Sequence, residues 1–404
     1  MRVANTIEVR LNNAINILYE IECHSGITNA EIAQKRGLSS PTISNIVNIL
    51  KGSDILMAAG TGESSGGRRP LQLSLNSDFE NYIGVSIAKH TLYITRIDFA
   101  GVIHEKELIY KDFEASKTYW EEIRQIVKDF EAKKGVSCKC GLALPGFVDI
   151  AANVVEDTQT LGVPKLSLND IYDVFGTEVT VGDSCYLAGT AQVFGKDDYQ
   201  DSCFVLLSRR ISGTVFRGNE IIKMKKSSMD IGTMILDPYA QTSKYGLPGS
   251  FLELCSASKI IDILKENSKD IIYYNFFKEI ESGNEKYSAM WDEYLKHLTF
   301  ALHNIFAFFG IDIVIGGEMA KYIKAYEYKL KAYLEKMILG GGGDARLRFS
   351  TYGEYDEAYG AALEARRRHI QEVLPDILKN AAASALEQSK QKTKSNKTKQ
   401  KQTG

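Results

Sequence analysis

The stretch YIGVSIAKHTLYITRIDFAGVI, residues 82–103, predicts two β-strands joined by a turn that reads Ser86-Ile87-Ala88-Lys89-His90. β-Branched and aromatic residues dominate both runs, and such residues favour strands. Further along, strand-like runs alternate with amphipathic helices, as in KELIYKDF at 106–113 and the helical pattern over 119–135. The same order of strands begins again near residue 201. This alternation predicts a mixed α/β body with two lobes.

The composition is that of an ordinary soluble chain of several domains. Of its 404 residues, 44% are hydrophobic and 25% are charged, and the net charge is -2 at pH 7. This balance excludes a general attraction to nucleic acid or acidic membranes, so a DNA-binding surface must be local. Because neither a transmembrane run nor a signal-peptide core is found, we expect a cytoplasmic protein with no membrane partner. The six scattered cysteines indicate free thiols, and we interpret Cys138 and Cys140 as strand residues rather than metal ligands.

The first eighty residues carry the signals of a helix-turn-helix. Apolar residues recur at helical spacing over 11–21, and TNAE at 28–31 is a capping box that begins a second helix. Gly37 suits the end of that helix. Ser40, directly before Pro41, is the predicted N-cap of the third helix.

The third helix, PTISNIVNILKG at 41–52, has one apolar face and one face of short polar side chains. Such a polar surface at the start of a short helix can enter a major groove and read base edges. The residues predicted to face DNA are Ser39, Ser40, Thr42, Asn45, Asn48 and Lys51, with Ser44 on the same face.

The run ILMAAGTGESSGGRRPLQLSL at 55–75 predicts a β-hairpin with a Gly/Ser-rich tip, the wing of a winged helix. Arg68 and Arg69 near its end suit contact with phosphate or the minor groove. The alternative is a protein-interaction module followed by a Gly-Gly-Arg-Arg-Pro linker. Residues 1–75 hold seven Lys/Arg against six Asp/Glu. We therefore expect a dimer that presents two heads to a two-fold symmetric operator.

Four segments carry a resemblance to a known family: SSGGRRPLQLSLN at 64–76, GLALPGFVD at 141–149, IGTMILDP at 231–238 and GAALEA at 360–365. Over about residues 8–370 the chain resembles the ROK family, which joins repressors, open reading frames and sugar kinases. The resemblance implies an α/β fold with an N-terminal winged helix-turn-helix and a two-lobed, actin-like body. The domains expected from it are a winged helix at 1–78, a first lobe at 79–195, a second lobe with a closing helix that returns to the first lobe at 196–378, and a basic disordered tail at 379–404.

Kinases of this family bind nucleotide phosphates at two glycine-rich turns, and both are altered here. In the first, Ser86 stands in place of the family's aspartate, and Ala88 and Lys89 in place of its glycines. A phosphate held by the lysine remains an alternative to loss of the site. The second turn reads SRRISGT at 208–214, and its two arginines fit either an ion pair or an anion site.

The family's general base and zinc ligands are also altered. In VGDSCY at 181–186, Ser184 takes the place of the catalytic aspartate, whereas a slip of one residue would put Asp183 there. Thr233 replaces the zinc-binding histidine, and no cysteine lies in 239–253, so we expect no metal and no cofactor. The possible ligand contacts in the cleft are Asp183, Asp230 and Glu253, or these acids are structural.

The sequence thus predicts a transcriptional regulator, expected to repress carbohydrate-related genes. Its kinase-like body would lack catalytic activity, support a homodimer or higher homo-oligomer, and bind a sugar or sugar-derived effector. Two rival interpretations are an unusual ROK sugar kinase and a ligand-independent scaffold that binds a protein partner. The lysine-rich tail, SKQKTKSNKTKQKQTG at 389–404, is expected to be solvated, with weak DNA binding as the alternative.

Overall fold

The computed structural model describes residues 2–61, 70–197, 200–218, 220–222, 228–261, 273–337 and 347–402. The chain folds into two compact units. The first unit comprises Met1–Asn81, Ile97–Val102 and Arg366–Gly404. The second unit comprises Tyr82–Arg96 and Ile103–Ala365.

The first unit contains the predicted winged helix. Its elements are α1 (Arg2–Cys23), β1 (Ile27–Thr28), α2 (Asn29–Arg36), α3 (Ser40–Gly52), β2 (Leu56–Thr61) and β3 (Leu71–Leu75). The strands form one antiparallel sheet in the order β1-β3-β2. The β2–β3 pairing confirms the predicted hairpin, whereas its tip, with Arg68 and Arg69, lies outside the described residues.

Local capping signals set the ends of the recognition helices. The predicted capping box is present, because Thr28 and Glu31 bond each other's backbone, and Gly37 ends α2 in the left-handed conformation. The N-cap of α3 is Ser39, not Ser40 as the sequence predicted. Proline is tolerated at either of the first two helical positions, so Pro41 alone could not distinguish Ser39 from Ser40 as the N-cap. The apolar face of α3 is buried as predicted, with Ile43, Ile46, Val47 and Leu50 in the core.

A buried arginine joins the distant parts of the first unit. The Arg366 side chain is 5% exposed and pairs with Glu22 of α1 through Nη1 at 2.8 Å. Its Nε donates to the carbonyl oxygen of Phe99 at 2.6 Å, and its guanidinium lies over the Phe99 ring. Phe79 packs edge-on against Phe99 and stacks on His369. The unit that contains the winged helix therefore also includes the turn at 97–102 and the chain from Arg366 onward.

The first lobe of the second unit has a five-stranded sheet in the order β11-β7-β4-β5-β6. Its elements are β4 (Asn81–Ile87), β5 (Thr91–Asp98), β6 (Ile103–Tyr110), α4 (Lys117–Lys134), β7 (Cys138–Leu144), β8 (Phe147–Asp149), β9 (Val154–Glu156), β10 (Lys165–Ser167), α5 (Asn169–Phe175) and β11 (Thr180–Asp183). The strands β4 and β5 are those predicted from residues 82–103, although Ser86 and Ile87, which were expected in the turn, belong to β4. Cys138 and Cys140 lie in β7 as predicted, and none of the six cysteines forms a disulfide.

The second lobe has a five-stranded sheet in the order β14-β13-β12-β15-β16. The chain continues with α6 (Ser184–Val193), β12 (Ser202–Leu207), β13 (Ile211–Arg217), β14 (Glu220–Ile221), α7 (Phe251–Cys255), α8 (Tyr273–Glu281), α9 (Glu285–Phe309), β15 (Asp312–Gly316), α10 (Ala320–Lys324), α11 (Glu327–Met337), β16 (Leu347–Phe349) and α12 (Asp356–Gln402). Each sheet covers its own hydrophobic core, centred on Trp120 in the first lobe and Trp291 in the second. The predicted two-lobed α/β body is thus confirmed.

Glycines allow α12 to pack directly on the first lobe. A Cβ at Gly84 of β4 would lie 1.8 Å from the carbonyl oxygen of Ala358, and one at Gly141 of β7 would lie 2.1 Å from that of Ala361. A Cβ at Gly360 would lie 1.8 Å from the carbonyl oxygen of Leu187. These distances leave no room for any side chain, so backbone meets backbone where the helix crosses the sheet.

The end of α12 differs from the sequence prediction. Residues 379–404 were expected to be disordered, but the helix continues to Gln402. The run 376–402 contains neither glycine nor proline and is rich in Ala, Lys and Gln, which favour helix even without an apolar face. Across the part of the chain that is described, no helix is sufficiently long and apolar to span a bilayer.

Candidate DNA-binding face and ligand cleft

The polar face of α3 is open to solvent. Asn45 and Asn48 are exposed, and neither side chain bonds another described residue. Ser40 is exposed as well, whereas Thr42 and Lys51 are half-buried. The face therefore offers two amides, each with donors and an acceptor, side by side on one helix.

Two hydroxyls near the start of α3 have structural roles. The Ser39 hydroxyl accepts from the backbone N–H of Thr42 and lies 2.8 Å from the Thr42 hydroxyl. Ser44, predicted on the DNA-facing side, instead meets α2, where Asn29 Nδ2 donates to its Oγ at 3.5 Å. Asn29 follows the capping residue of α2, so this contact fixes the angle between the two helices.

A cleft of about 790 Å³ lies within the second unit, lined by residues of both lobes. Its walls include the β4–β5 turn, the turn between β12 and β13, and the first residues of α12. The polar residues used below are Ser86, Lys89, Asp183, Arg209, Arg210 and Asp356.

Asp183 stands at the end of β11 and caps α6. Its Oδ1 accepts from the backbone N–H groups of Cys185 at 2.8 Å and Tyr186 at 3.1 Å. Its Oδ2 accepts from the Ser228 hydroxyl at 2.8 Å. Burial raises the pKa of this carboxyl, while nearby Arg210 opposes the rise. Both oxygens of Asp183 are engaged by the protein, and the residue serves as the N-cap of α6.

A side-chain contact joins Ser86, near the end of β4, to α12. The Ser86 hydroxyl donates to Glu357 Oε2 of α12 at 2.6 Å. Burial raises the pKa of Glu357, and the Ser86 bond opposes that rise. This serine has no charge with which to organise a metal ion, and its hydroxyl already has an acceptor.

Arg210 connects the lobes across the cleft. Its Nε donates to Asp157 Oδ2 at 2.8 Å, and its guanidinium lies 4.1 Å from the ring centre of Phe147. Both partners belong to the first lobe, and the arginine belongs to the second. The residue is 7% exposed, and its Nη2 is buried without a hydrogen-bond acceptor among the described residues.

Asp356, the first residue of α12, was not singled out from the sequence. Its Oδ1 accepts from Gln192 Nε2 at 2.8 Å and from the backbone N–H of Tyr352 at 3.1 Å. Burial raises the pKa of Asp356 to about 7. The signal that could have identified it is the acidic pair Asp356-Glu357 directly before an apolar helix, where two acids have no place in an ordinary core.

The other two predicted ligand contacts lie elsewhere. Asp230 is exposed before a short 3-10 turn at Ile231–Thr233. Glu253 Oε2 accepts from the Ser243 hydroxyl and from the backbone N–H groups of Lys244 and Tyr245. Of the three acids predicted to contact a ligand, only Asp183 is among the residues that line the cleft.

The residues in place of the family's zinc ligands do not fit a metal. Thr233 donates its hydroxyl to the Asp230 carbonyl oxygen, and Phe251 is buried in the core. The Cys255 thiol is buried and points to the carbonyl oxygen of Tyr294 at 3.9 Å. Among the described residues, no three of the types His, Cys, Asp and Glu gather as a metal site would require. The Glu253 carboxylate organises this segment instead.

The geometry defines a winged helix-turn-helix protein with a kinase-like, two-lobed body. A sequence model described as the ROK family matches residues 82–368, and one described as a winged helix-turn-helix DNA-binding domain matches residues 10–56. The chain belongs to the ROK family.

Several relatives of the chain are named as xylose or N-acetylglucosamine repressors. The putative xylose repressor of Caldicellulosiruptor sp. (strain Rt8B.4) is 22% identical over 350 residues, covering 80% of this chain and 86% of that protein. The N-acetylglucosamine repressor of Escherichia coli O6:H1 is 22% identical over 278 residues, covering 66% of this chain and 68% of that protein.

Solved structures share the fold. A ROK family transcriptional regulator described as a homologue of the E. coli MLC protein aligns with a TM-score of 0.73 at 16% identity, over 92% of this chain and 98% of that one. A ROK family glucokinase from Streptomyces griseus, in complex with glucose and AMPPNP, aligns with a TM-score of 0.61 at 15% identity, over 71% of this chain and 99% of that one. The regulator match extends over the winged helix as well as the body.

Proposed function

We propose that this protein is a DNA-binding transcriptional regulator that represses carbohydrate-related genes. The observation that carries the proposal is the solvent-exposed polar face of α3, with Asn45 and Asn48 unbonded within the described chain. Asparagine can pair with the N6 and N7 edge of adenine through two hydrogen bonds. The similarity to a protein named as a putative xylose repressor, over 80% of this chain, supports the same function.

The winged helix is almost neutral, and this small net charge favours a homodimer that binds a two-fold symmetric DNA site with two winged helices, the two heads of the dimer. Residues 1–75 have seven basic and six acidic side chains, so one head alone gains little from phosphate contacts. Two heads on one DNA molecule add their binding energies and fix the spacing of the half-sites. Arg68 and Arg69, at the tip of the wing in the sequence, are the candidates for phosphate or minor-groove contact.

In this proposal the body has lost phosphoryl transfer. Three contacts support the loss: the Ser86 bond to Glu357, the triple engagement of Asp183, and the placement of Arg210 against Asp157. A kinase needs a phosphate cradle and an available base, and in this chain the equivalent positions serve the fold. The rival kinase activity predicts formation of ADP when ATP is supplied with a sugar.

The body would instead bind an effector in the cleft and change the affinity of the heads for DNA. The helix α12 contributes Asp356 to the cleft and, ten residues later, Arg366 to the first unit. An effector that binds one arrangement of this helix better than another would shift the population of DNA-binding states. We place this activity in the cytoplasm.

The test is binding of the purified full chain to the DNA upstream of its own gene and of the neighbouring genes, with and without a panel of sugars. We expect specific binding with nanomolar-range affinity at moderate salt, on the order of 10⁻⁸ M. Release by one sugar or sugar derivative would identify the effector class.

A variant with Asn45→Ala and Asn48→Ala should lose specific binding, while Asn12→Ala should retain it. Asn12 is an exposed asparagine of α1 and serves as the matched control. Absence of specific binding at low salt and high protein concentration would refute the regulator. Formation of ADP in the presence of sugar would favour the kinase, and capture of a stable protein partner without any DNA binding would favour the scaffold.

A further inference from the structure

We propose that the cleft binds a ligand with an anionic group, a carboxylate or a phosphate, through Arg209, Arg210 and Lys89. The proposal rests on the proposed function for one point only, that the ligand of this cleft is the effector. It names the chemical class of that effector as an acidic or phosphorylated sugar derivative.

The carboxyl groups that line the cleft are already engaged by the protein. Each accepts a hydrogen bond or forms an ion pair within the second unit, and Glu318 too has a partner. The donors are Cys185, Tyr186 and Ser228 for Asp183, Gln192 and Tyr352 for Asp356, Ser86 for Glu357, and Lys321 for Glu354. Most of the acceptor capacity of these acidic residues is therefore committed to fixing the walls, and Asp356 Oδ2 is an exception.

The basic residues of the same cleft differ. Arg209 is half-buried and Lys89 is exposed, and neither side chain forms a hydrogen bond or an ion pair with a described residue. Arg210 uses Nε for Asp157 and leaves Nη2 buried without an acceptor. The cleft thus has positively charged donors, on Arg209, Arg210 and Lys89, that meet no acceptor of the described chain.

Arg210 is held in an orientation that suits an anion. Its planar guanidinium is fixed on one edge by Asp157 and on one face by Phe147, at 4.1 Å from the ring centre. A guanidinium fixed in this way can present a further N–H to a ligand oxygen with little loss of side-chain freedom. The buried, unpartnered nitrogen gains an acceptor when that oxygen arrives.

Asp356 supplies the complementary contact for a sugar hydroxyl. Its Oδ2 is buried and makes no hydrogen bond of normal geometry, although the Ser350 hydroxyl lies beside the carboxyl. A hydroxyl group can donate to this oxygen while the anionic group of the same ligand meets the arginines. A neutral sugar would satisfy Asp356 and leave the positive charges of Arg209 and Lys89 uncompensated.

The test is a set of thermal-shift and calorimetric titrations of the full chain at constant ionic strength. The probes are inorganic phosphate, glucose, glucuronate and glucose 6-phosphate. We expect phosphate or glucuronate at millimolar concentration to raise the melting temperature, and at least one acidic or phosphorylated sugar to bind at least tenfold tighter than glucose. The glucuronate and glucose 6-phosphate titrations distinguish a carboxylate from a phosphate ligand.

Three variants test the assigned side chains. Arg209→Gln and Lys89→Gln should each weaken anion binding about tenfold without a change in folding, because neither side chain is bonded to the described chain. Arg210→Lys retains the charge but loses the planar second donor, and should weaken binding as well. Lys128→Gln, which removes an exposed lysine of α4 outside the cleft, is the matched control and should bind as the wild type does.

Equal anion affinity in wild type, Arg209→Gln and Lys89→Gln would overturn the proposal, as would no effect of any anion. DNA binding is measured on the same preparations. If DNA binding is specific but anions have no effect, only the ligand assignment fails. If DNA binding itself is absent, the proposed function fails whatever the anions do.

Discussion

The polar face of α3 and the polar lining of the cleft contain similar kinds of side chain in opposite states. On α3, Asn45 and Asn48 are exposed and bond no described residue. In the cleft, Asp183 and Asp356 are about 1% exposed and accept two or more hydrogen bonds each. The first arrangement leaves hydrogen-bonding capacity for a partner molecule, and the second uses most of it inside the fold.

This difference separates side chains that can recognise a partner molecule from side chains that stabilise the fold. An exposed amide gives up bonds to water when it binds a base edge, so it can contribute to specificity. A buried carboxylate that caps a helix cannot also take a proton from a substrate without breaking the cap. Within the cleft the same contrast recurs, because the acids are engaged while two cations are open.

The largest expected effect concerns a residue that supports the fold. Replacement of Arg366 by Met should lower the free energy of unfolding by about 3–5 kcal/mol, because the Glu22 side chain, which is only 14% exposed, would lose its partner. Chemical denaturation of the full chain measures the loss. Arg368→Met is the control: its side chain is 39% exposed and pairs with Glu372 one turn away, so its removal should cost less than about 1 kcal/mol. Equal losses in the two variants would contradict the assigned role of Arg366.

The next effect concerns the residues that are proposed to contact DNA. The double variant Asn45→Ala, Asn48→Ala should bind the operator at least about 30-fold more weakly, since each of the two lost base contacts costs roughly 1–3 kcal/mol. Its melting temperature should not change, because both side chains are exposed. Gel-shift titration at fixed salt measures the affinity, with Asn12→Ala as control. A large fall in stability in the double variant would place these residues among the supporting ones.

Asp183 offers a test between support and catalysis. Asp183→Ala should destabilise the body by about 1–2 kcal/mol, since α6 loses its cap and Ser228 loses its acceptor. Asp183→Asn should lose less, because an amide oxygen can still accept from Cys185 and Tyr186. Denaturation curves give both values. If Asp183→Asn had normal stability but abolished a sugar-dependent ATPase, the residue would be catalytic.

The smallest expected effect is a change in pH dependence. The pKa of Asp356 is raised from 3.8 to about 7 in the folded protein, so the folded state holds a proton that the unfolded state releases between these values. This carboxyl therefore lowers the free energy of unfolding as pH rises through that window, and the decline ends above about pH 7. Asp356→Asn lacks the titrating group and should gain about 1 kcal/mol relative to wild type between pH 6 and 7.

Thermal unfolding of both proteins at pH 5, 6, 7 and 8 checks this prediction. The difference between them should grow from pH 5 to 7 and then level off. A constant difference at all four pH values would show that Asp356 does not titrate in this range.

The sequence by itself determined the features that depend on neighbours in the chain. The capping box at Thr28 and Glu31, the apolar face of α3, the hairpin after it and the two strands at 82–103 all follow from local patterns, since capping and periodicity act over a few residues. Local patterns determined the ends of helices less well. The N-cap of α3 is Ser39 rather than Ser40, and α12 continues past residue 379. The resemblance to the ROK family supplied the order of the domains along the chain.

Only the tertiary structure decided which polar residues share a site. Arg210 and Asp157 are 53 positions apart, Ser86 and Glu357 are 271 apart, and Arg366 meets Phe99 across 267. Spacing in the sequence says nothing of such pairs, so Glu253 was expected in the cleft yet organises residues 243–245, and Asp356 was not expected there at all. Burial and partnership are properties of the packed chain, and these properties distinguish the open amides of α3 from the engaged acids of the cleft.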